Sequence, residues 1–173
     1  MARRAAVAIV AGIVAGLAAC GGAAEEPLLG VWTVASHTYG DAGCAAEGPA
    51  VADPPFVQFQ RSDVLGQEVI ELVDCATPTA CAASAGLAGR LFTEALPGGG
   101  LRAEVFTSFG DEAGCALAAS RTDAVVADDD SLRIEARTYE SRDLSGVVCA
   151  PATARALLAS LTCKTLDVLT AAR

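Results

Sequence analysis

The chain has 173 residues, and its 12 lysines and arginines against 21 aspartates and glutamates give it a formal net charge of −9. Nucleic acids and anionic lipid headgroups are recognised by clustered basic residues, so this balance excludes both as expected partners. The chain also has seven cysteines and one histidine. Its composition therefore favours an exported, disulfide-bonded protein.

The first twenty residues have the layout of an export signal. Arg3 and Arg4 precede an apolar run over residues 5–19, which is shorter than the roughly 20 residues that a membrane-spanning helix needs. The run ends in LAAC at residues 17–20, which resembles the lipobox of bacterial lipoproteins. The resemblance implies that the Cys20 thiol carries a diacylglycerol, that the chain is cleaved before Cys20 and that the new amino terminus is acylated. Several acyl chains anchor a protein stably in a membrane.

The same resemblance gives a location. Gly21 follows the lipobox cysteine, whereas an aspartate there often marks retention in the inner membrane, so we expect the outer membrane. Residues 1–19 are then the signal peptide, residues 20–27 are the lipidated cysteine and a short tether, and residues 28–173 are a single disulfide-bonded β domain. An ordinary secretory signal, with Cys20 near the cleavage site by chance, is the alternative interpretation.

An even number of cysteines in an exported chain predicts a disulfide framework. The six after Cys20 are Cys44, Cys75, Cys81, Cys115, Cys149 and Cys163. Cys75 and Cys81 flank a short loop with Pro78, which favours a local bridge. Cys149 and Cys163 flank a helix-like stretch and are a candidate pair, which would leave Cys44 with Cys115 by elimination. Six cysteines allow 15 pairings, which the spacing restricts but does not settle. The closest pair is too widely spaced for a zinc site, so we expect neither a metal nor another cofactor.

From Leu28 onward, strand-like segments alternate with turn signals, which predicts a mostly β, antiparallel meander. In the clearest segment Leu132, Ile134 and Ala136 alternate with charged residues, so one face is expected in the core. A short helix over Pro151–Leu161 precedes the last strand. The predicted strands are Gly30–Tyr39, Phe56–Arg61, Gln67–Cys75, Arg90–Leu96, Leu101–Ser108, Cys115–Val126, Leu132–Glu140 and Thr162–Thr170. If the last pairs with the first, the eight strands make a small barrel, with a sandwich as the alternative.

Gly30-Val31-Trp32 on the first strand resembles the Gly-x-Trp of lipocalins, as do the large loop over residues 40–55 and the helix near the end. The resemblance implies a lipocalin-like barrel that holds a small apolar or amphipathic ligand, with the Cys44 loop as its lid. The residues expected to line the pocket are Trp32, Phe56, Val105 and Ile134. In the other interpretation, Trp32 is a core aromatic that plugs one end of the sheet.

His37 is the only side chain that titrates near neutral pH without help from its surroundings. Ser36 and Asp41 lie near it in sequence, but a catalytic triad is defined by geometry, so we expect a solvated or structural histidine and no enzyme. The leading hypothesis is a lipid-anchored envelope protein that binds a small apolar ligand. The alternative is a structural or partner-binding envelope lipoprotein with a filled core. If there were neither a ligand cavity nor a filled core with an exposed apolar patch, a histidine in a cleft against a carboxylate would instead favour an enzyme.

Overall fold

The computed structural model describes residues 26–45, 48, 54–82, 90–111, 114–128 and 131–173. The lipobox, Cys20 and most of the tether lie outside these ranges, and so does part of the loop over residues 40–55. Within the described ranges, no helix combines the length and the apolar character needed to cross a membrane.

The protein is built on one antiparallel sheet. Its strands are β1 (Gly30–Gly40), β2 (Phe56–Val64), β3 (Gln67–Thr77), β4 (Ala80–Ala82), β5 (Leu91–Phe92), β6 (Glu94–Ala95), β7 (Leu101–Asp111), β8 (Gly114–Asp128), β9 (Ser131–Leu144) and β10 (Thr162–Ala172). A short helix, α1 (Pro151–Ala156), and a 3₁₀ turn (Leu158–Ser160) precede β10. The mostly β, antiparallel fold with one short helix before the last strand is therefore confirmed.

The first and last long strands pair with each other, as the sequence predicts. In β1 and β10, Thr33 lies opposite Ala172 and Gly40 lies opposite Leu166. The strand order is β4-β3-β2-β1-β10-β9-β8-β7-β6, and β5 pairs with β3. The pairing of β1 with β10 joins the two halves of the meander into one sheet.

The predicted count of eight strands is wrong, and among the residues that the structure describes no continuous strand closes the sheet into a barrel. The segment predicted over Arg90–Leu96 divides at Thr93 into β5, which pairs with β3, and β6, which pairs with β7. β5 and β6 are each two residues long, and each pairs with a strand near only one end of the strand order. The two ends of the sheet are therefore linked by an interrupted strand. The remaining strand, β4, is a hairpin return that pairs with β3 beside Cys75.

The sheet curls around one apolar core. This core includes Trp32 from β1, Phe59 from β2, Phe92 from β5, Leu101 from β7 and Leu169 from β10. Residues from both ends of the strand order therefore share one interior. In β9, Leu132 and Ile134 are buried in it, which confirms the predicted alternation.

Trp32 closes one end of this core. Its side chain is fully buried, and its indole Nε1 donates a hydrogen bond of 2.8 Å to the carbonyl of Leu28. The guanidinium of Arg173 lies 4.2 Å from the centre of the indole ring and donates to the carbonyls of Pro27 (2.6 Å) and Leu29 (3.0 Å). The chain before β1 and the end of β10 are thereby fixed around one aromatic ring.

A second apolar cluster covers the outer face of the sheet. Ala154 of α1 and Leu161 pack with Leu117 and Ala119 of β8. Arg155 adds a cation–π contact, with its guanidinium carbon 4.9 Å from the centre of the Phe106 ring. Pro151 occupies the first turn of the helix, where its missing N–H is not needed. The helix therefore lies outside the curled sheet and leaves the interior free.

Beyond the helix, ion pairs cover the same outer face. Arg102 forms two hydrogen bonds to Asp123, at 2.6 and 2.8 Å, and this contact raises the pKa of the Arg102 guanidinium above its ordinary value. Glu104 pairs with Arg121 on the neighbouring rung of the two strands. The charged residues that alternate with the core positions are thus paired with one another.

Three disulfides link the six cysteines of the described domain. The local bridge Cys75–Cys81 is confirmed. The other two candidate pairs are wrong, because the bridges are Cys44–Cys163 and Cys115–Cys149. Cys149 precedes the helix that packs on β8, which brings it to Cys115, while the pairing of β1 with β10 brings Cys163 to the turn after β1. Tertiary packing therefore decides these two bridges.

Candidate functional site

A cavity of about 170 Å³ lies inside the curled sheet. Its wall residues come from β1, β2, β3, β8, β9 and β10, together with the segments just before β2 and β5. The apolar part of the wall includes Val57, Leu72, Ile134 and Leu169. The polar wall residues are His37, Asp74, Arg90, Ser120, Thr122 and Asp167. A ligand in the cavity would therefore meet both apolar side chains and several polar groups.

His37 and Asp167 contact each other on the wall of the cavity. His37 Nε2 contacts Asp167 Oδ1, and the side chains are 14% and 41% exposed. Asp167 lies opposite Tyr39, two residues after His37, so the pair crosses the β1–β10 ladder diagonally. The second carboxylate oxygen of Asp167 makes no hydrogen bond to any residue in the described part of the chain. One oxygen is thus held while the other is available to a ligand.

A bulge in β1 aims His37 inward. Trp32 and Val34 both pack in the core, so strict alternation would direct Ser36 inward and His37 outward. The register shifts between Val34 and Ser36, which reverses the faces of the residues that follow. Sequence reasoning missed the site for this reason. Of the two expected environments for His37, solvated or structural, the structure has the partly buried one. The only sequence signal for this site was that His37 is the single histidine of the chain.

Arg90 and Asp74 occupy the mouth of the cavity. Arg90 Nη1 donates to Asp74 Oδ1 at 2.6 Å, and the side chains are 32% and 41% exposed. The carbonyl of Arg90 accepts a hydrogen bond from the amide of Leu72, which fixes the backbone at this position. Arg90, the one arginine among the described wall residues, is thus already engaged by a carboxylate.

Thr122 lies deeper in the cavity. It is 4% exposed, and its hydroxyl makes no hydrogen bond to another residue within the described ranges. Every fully buried side-chain nitrogen or oxygen in those ranges has a hydrogen-bond partner. The Thr122 hydroxyl has none there, so it is not fully buried and opens onto the cavity. Ser120, two residues earlier on β8, lines the same wall. The interior therefore holds hydrogen-bonding groups that have no partner among the described residues.

Of the four residues predicted to line a pocket, the structure places Ile134 on the cavity wall. Trp32 lies in the closed end of the core, Phe56 precedes the inward-facing Val57 and is half-buried, and Val105 is half-buried on β7. These three are not among the wall residues of this cavity. The expected lid over residues 40–55 is described only in part, and Pro54 from it contacts the cavity.

The structure separates the residues near His37 in sequence from the site. The Ser36 hydroxyl shares a hydrogen bond of 2.7 Å with the Thr170 hydroxyl on the opposite face of the sheet from His37. Asp41 is exposed and lies beyond the end of β1. The carboxylate that meets His37 is Asp167, which lies 130 residues away in sequence. In the described ranges, no group of three or more potential metal ligands is assembled.

Comparisons with known proteins do not add an identity to this geometry. No protein-family model matches the chain, and no match is found among curated proteins or solved structures. The function is therefore argued from the cavity and from the sequence.

Proposed function

We propose that this protein is a lipid-anchored protein of the bacterial cell envelope that binds a small amphipathic ligand without catalysing a reaction. The observation that carries the proposal is the cavity of about 170 Å³, with Val57, Leu72 and Leu169 on its apolar side and Asp167 at its mouth. Binding sites for small molecules combine an apolar lining with a few convergent polar groups. The cavity has both.

The volume limits the ligand. An apolar cavity of about 150 Å³ holds benzene, whereas pockets for drug-sized ligands start at about 300 Å³. A cavity of about 170 Å³ therefore suits one ring or a short chain with a polar end. A whole fatty acyl chain is too large to be enclosed. The expected apolar ligand thus becomes a small amphipathic one in this proposal.

As part of the proposal, the open ten-stranded sheet corresponds to a lipocalin-like barrel. This correspondence treats β5 and β6 as two halves of one strand and β4 as an extension of the hairpin after β3. The pairing of β5 with β3 and of β6 with β7 supports this description, as does the single core around which the sheet curls. An eight-stranded barrel has an interior wide enough for side chains or one small ligand.

The lipid anchor and the outer-membrane location are proposed from the sequence. They rest on Arg3 and Arg4, the short apolar run and the lipobox that ends in Cys20. The three disulfides agree with export to an oxidising compartment. A cavity protein anchored there would meet its ligand outside the cytoplasm.

The alternative function, binding an envelope protein, has one observation in its favour. Phe109 is 52% exposed and Val148 is 75% exposed. Phe109 precedes Gly110, which lies against Cys149, so the two apolar side chains belong to the same end of the sheet. A filled interior would have favoured this alternative, and the cavity argues for a small ligand instead.

A titration with benzyl alcohol tests the proposal. We expect amide chemical shifts in ¹⁵N-labelled protein to move for residues around Thr122 and Ala136 and to saturate at millimolar ligand. Ala136→Leu places a larger side chain in the cavity and should abolish these shifts, while Ala152→Leu on the exposed face of α1 is the matched control. Unchanged spectra of the unmodified protein, or equal shifts in the Ala136→Leu variant, would overturn the proposal.

A further inference from the structure

We propose that the ligand of this cavity is a small organic cation, a protonated amine carried on an apolar body, and that Asp167 receives its ammonium group. The inference rests on the proposed binding function and names the chemical class that the cavity selects. Three observations carry it. One oxygen of Asp167 and the hydroxyl of Thr122 have no hydrogen-bond partner among the described residues, and the charges of the described wall residues favour a cation.

Asp167 is an acceptor held in position. His37, which is only 14% exposed, contacts one of its oxygens, while the carboxylate is 41% exposed and its other oxygen has no hydrogen-bond partner among the residues described. An ionised carboxylate accepts hydrogen bonds and donates none, so its complement is a donor. A hydrogen bond from an ammonium to a carboxylate is about twice as strong as one between neutral groups.

Thr122 provides the second polar contact. The Cα partner of Asp167 on β9 is Ala136, and the Cα partner of Ala136 on β8 is Thr122. These three residues form one row across the sheet, in which Asp167 and Thr122 are separated by two strand spacings, roughly 9 to 10 Å. The methyl side chain of Ala136 leaves room above the row. A ligand lying over Ala136 therefore reaches Asp167 at one end and the Thr122 hydroxyl at the other.

The charges on the wall favour a cation. Arg90 is paired with Asp74 at 2.6 Å, so these two charges offset each other. Asp167 is the other carboxylate among the described wall residues, and only one of its oxygens contacts His37. A cation would neutralise Asp167, whereas an anion would have to separate Arg90 from Asp74. The formal net charge of −9 also attracts small cations to the protein.

The apolar part of the wall supports the other half of the ligand. Leu72, Ile134 and Leu169 present only hydrocarbon, which accommodates a ring or a short alkyl group. Burial of that group contributes about 25 cal/mol for each Å² of apolar surface removed from water. The amine then determines selectivity, because the hydrophobic contribution is similar for any ligand with the same ring.

Three probes with one ring and different charges test the inference: benzylamine, benzyl alcohol and benzoate. Each is titrated into the full-length exported protein, and its dissociation constant is taken from the amide shifts around Thr122. We expect benzylamine to bind at least tenfold more tightly than benzyl alcohol and benzoate to bind most weakly. Added salt should weaken the binding of benzylamine more than that of benzyl alcohol.

Asp167→Asn keeps the shape of the side chain and removes its charge, so it should eliminate the preference for benzylamine while benzyl alcohol still binds. Glu68→Gln is the matched control, since Glu68 is 68% exposed on β3 and is not part of the cavity wall. Thr122→Val should weaken benzylamine severalfold. The charge preference of the unmodified protein is itself a test, so the inference does not depend on the folding of a variant.

The outcomes separate the inference from the function on which it rests. Equal affinity for all three probes would overturn the cationic ligand and leave the cavity as a binding site. The same would follow if benzoate bound most tightly and its binding were lost in an Arg90→Gln variant. Failure of every probe to bind would remove both. A benzylamine preference that persists in Asp167→Asn would overturn the role of Asp167.

Discussion

At the scale of single residues, Arg173 illustrates how one side chain holds two ends of the fold. Its guanidinium lies over Trp32 and donates to the carbonyls of Pro27 and Leu29. Arg173→Gln removes the cation–π contact and at least one of these bonds, so we expect a loss of about 1 to 3 kcal/mol in the free energy of unfolding, measured by urea denaturation. Arg61→Gln, which breaks an exposed pair with Glu68, should cost less than about 1 kcal/mol.

Equal losses in the two arginine variants would show that the contacts of Arg173 contribute no more than a surface ion pair.

Gly100 illustrates a different constraint at the residue scale. Its φ is +98°, and a Cβ atom built on it would lie 2.5 Å from the carbonyl oxygen of Ala124. Gly98 has a similar φ of +91° but open space around it, which makes it the matched control. Gly98→Ala adds backbone strain alone, about 1 to 2 kcal/mol. Gly100→Ala adds the clash as well, and we expect a further loss of about 1 to 3 kcal/mol in thermal or urea unfolding.

Similar losses in the two glycine variants would mean that β8 shifts away from the new methyl group at little cost.

At the scale of elements, the three disulfides differ in the length of chain that they close. Their sequence separations are 119 residues for Cys44–Cys163, 34 for Cys115–Cys149 and 6 for Cys75–Cys81. In the chain-entropy description, a longer loop gives greater stabilisation: about 5, 4 and 2 kcal/mol in that order. We expect paired Cys→Ser variants to lose stability in the same order in urea unfolding.

Peptide mapping of the unreduced protein checks the connectivity behind this order. A peptide that joins Cys149 to Cys163 would contradict it, and so would a Cys75–Cys81 variant that loses the most stability.

The elements also show where sequence patterns succeed. Strand positions follow from local information, since β-branched and aromatic residues alternate with polar ones between turn signals. All eight predicted strands begin within one residue of an observed strand start, as β9 does at Ser131 against a prediction of Leu132. The bulge after Val34 and the break at Thr93 arise from pairing between distant strands. Local patterns do not contain that information.

At the scale of the whole molecule, the same distinction explains the candidate site. The sequence indicates that Ile134 faces inward, because its neighbours on β9 alternate regularly. It does not indicate that Asp167 meets His37, because this contact depends on the register of β10 against β1. Asp167 alternates with the buried Leu166 and Val168, so local alternation alone assigns it to a solvent-facing side. Ile134 was therefore predictable as an apolar residue of the site, whereas its polar residues were not.

The anchor is also a property of the whole molecule, since it decides where the cavity meets its ligand. If the lipobox resemblance holds, the mature protein begins at Cys20 and its intact mass includes acyl chains. Each buried CH₂ group of these chains contributes about 0.8 kcal/mol to membrane binding. Cys20→Ser should abolish the lipid mass and release the protein from the membrane fraction. Gly21→Asp should keep the lipid and move the protein from the outer to the inner membrane.

The Cys20→Ser and Gly21→Asp variants test the lipid anchor and the membrane location separately, because each changes only one of the two sequence signals. A Cys20→Ser protein that stays in the membrane fraction would show that another segment holds it there. A lipidated Gly21→Asp protein with unchanged location would leave the anchor in place and contradict the outer-membrane assignment. Mature protein without lipid would instead make residues 1–19 an ordinary secretory signal, and the cavity would then sample ligands in solution rather than beside a membrane.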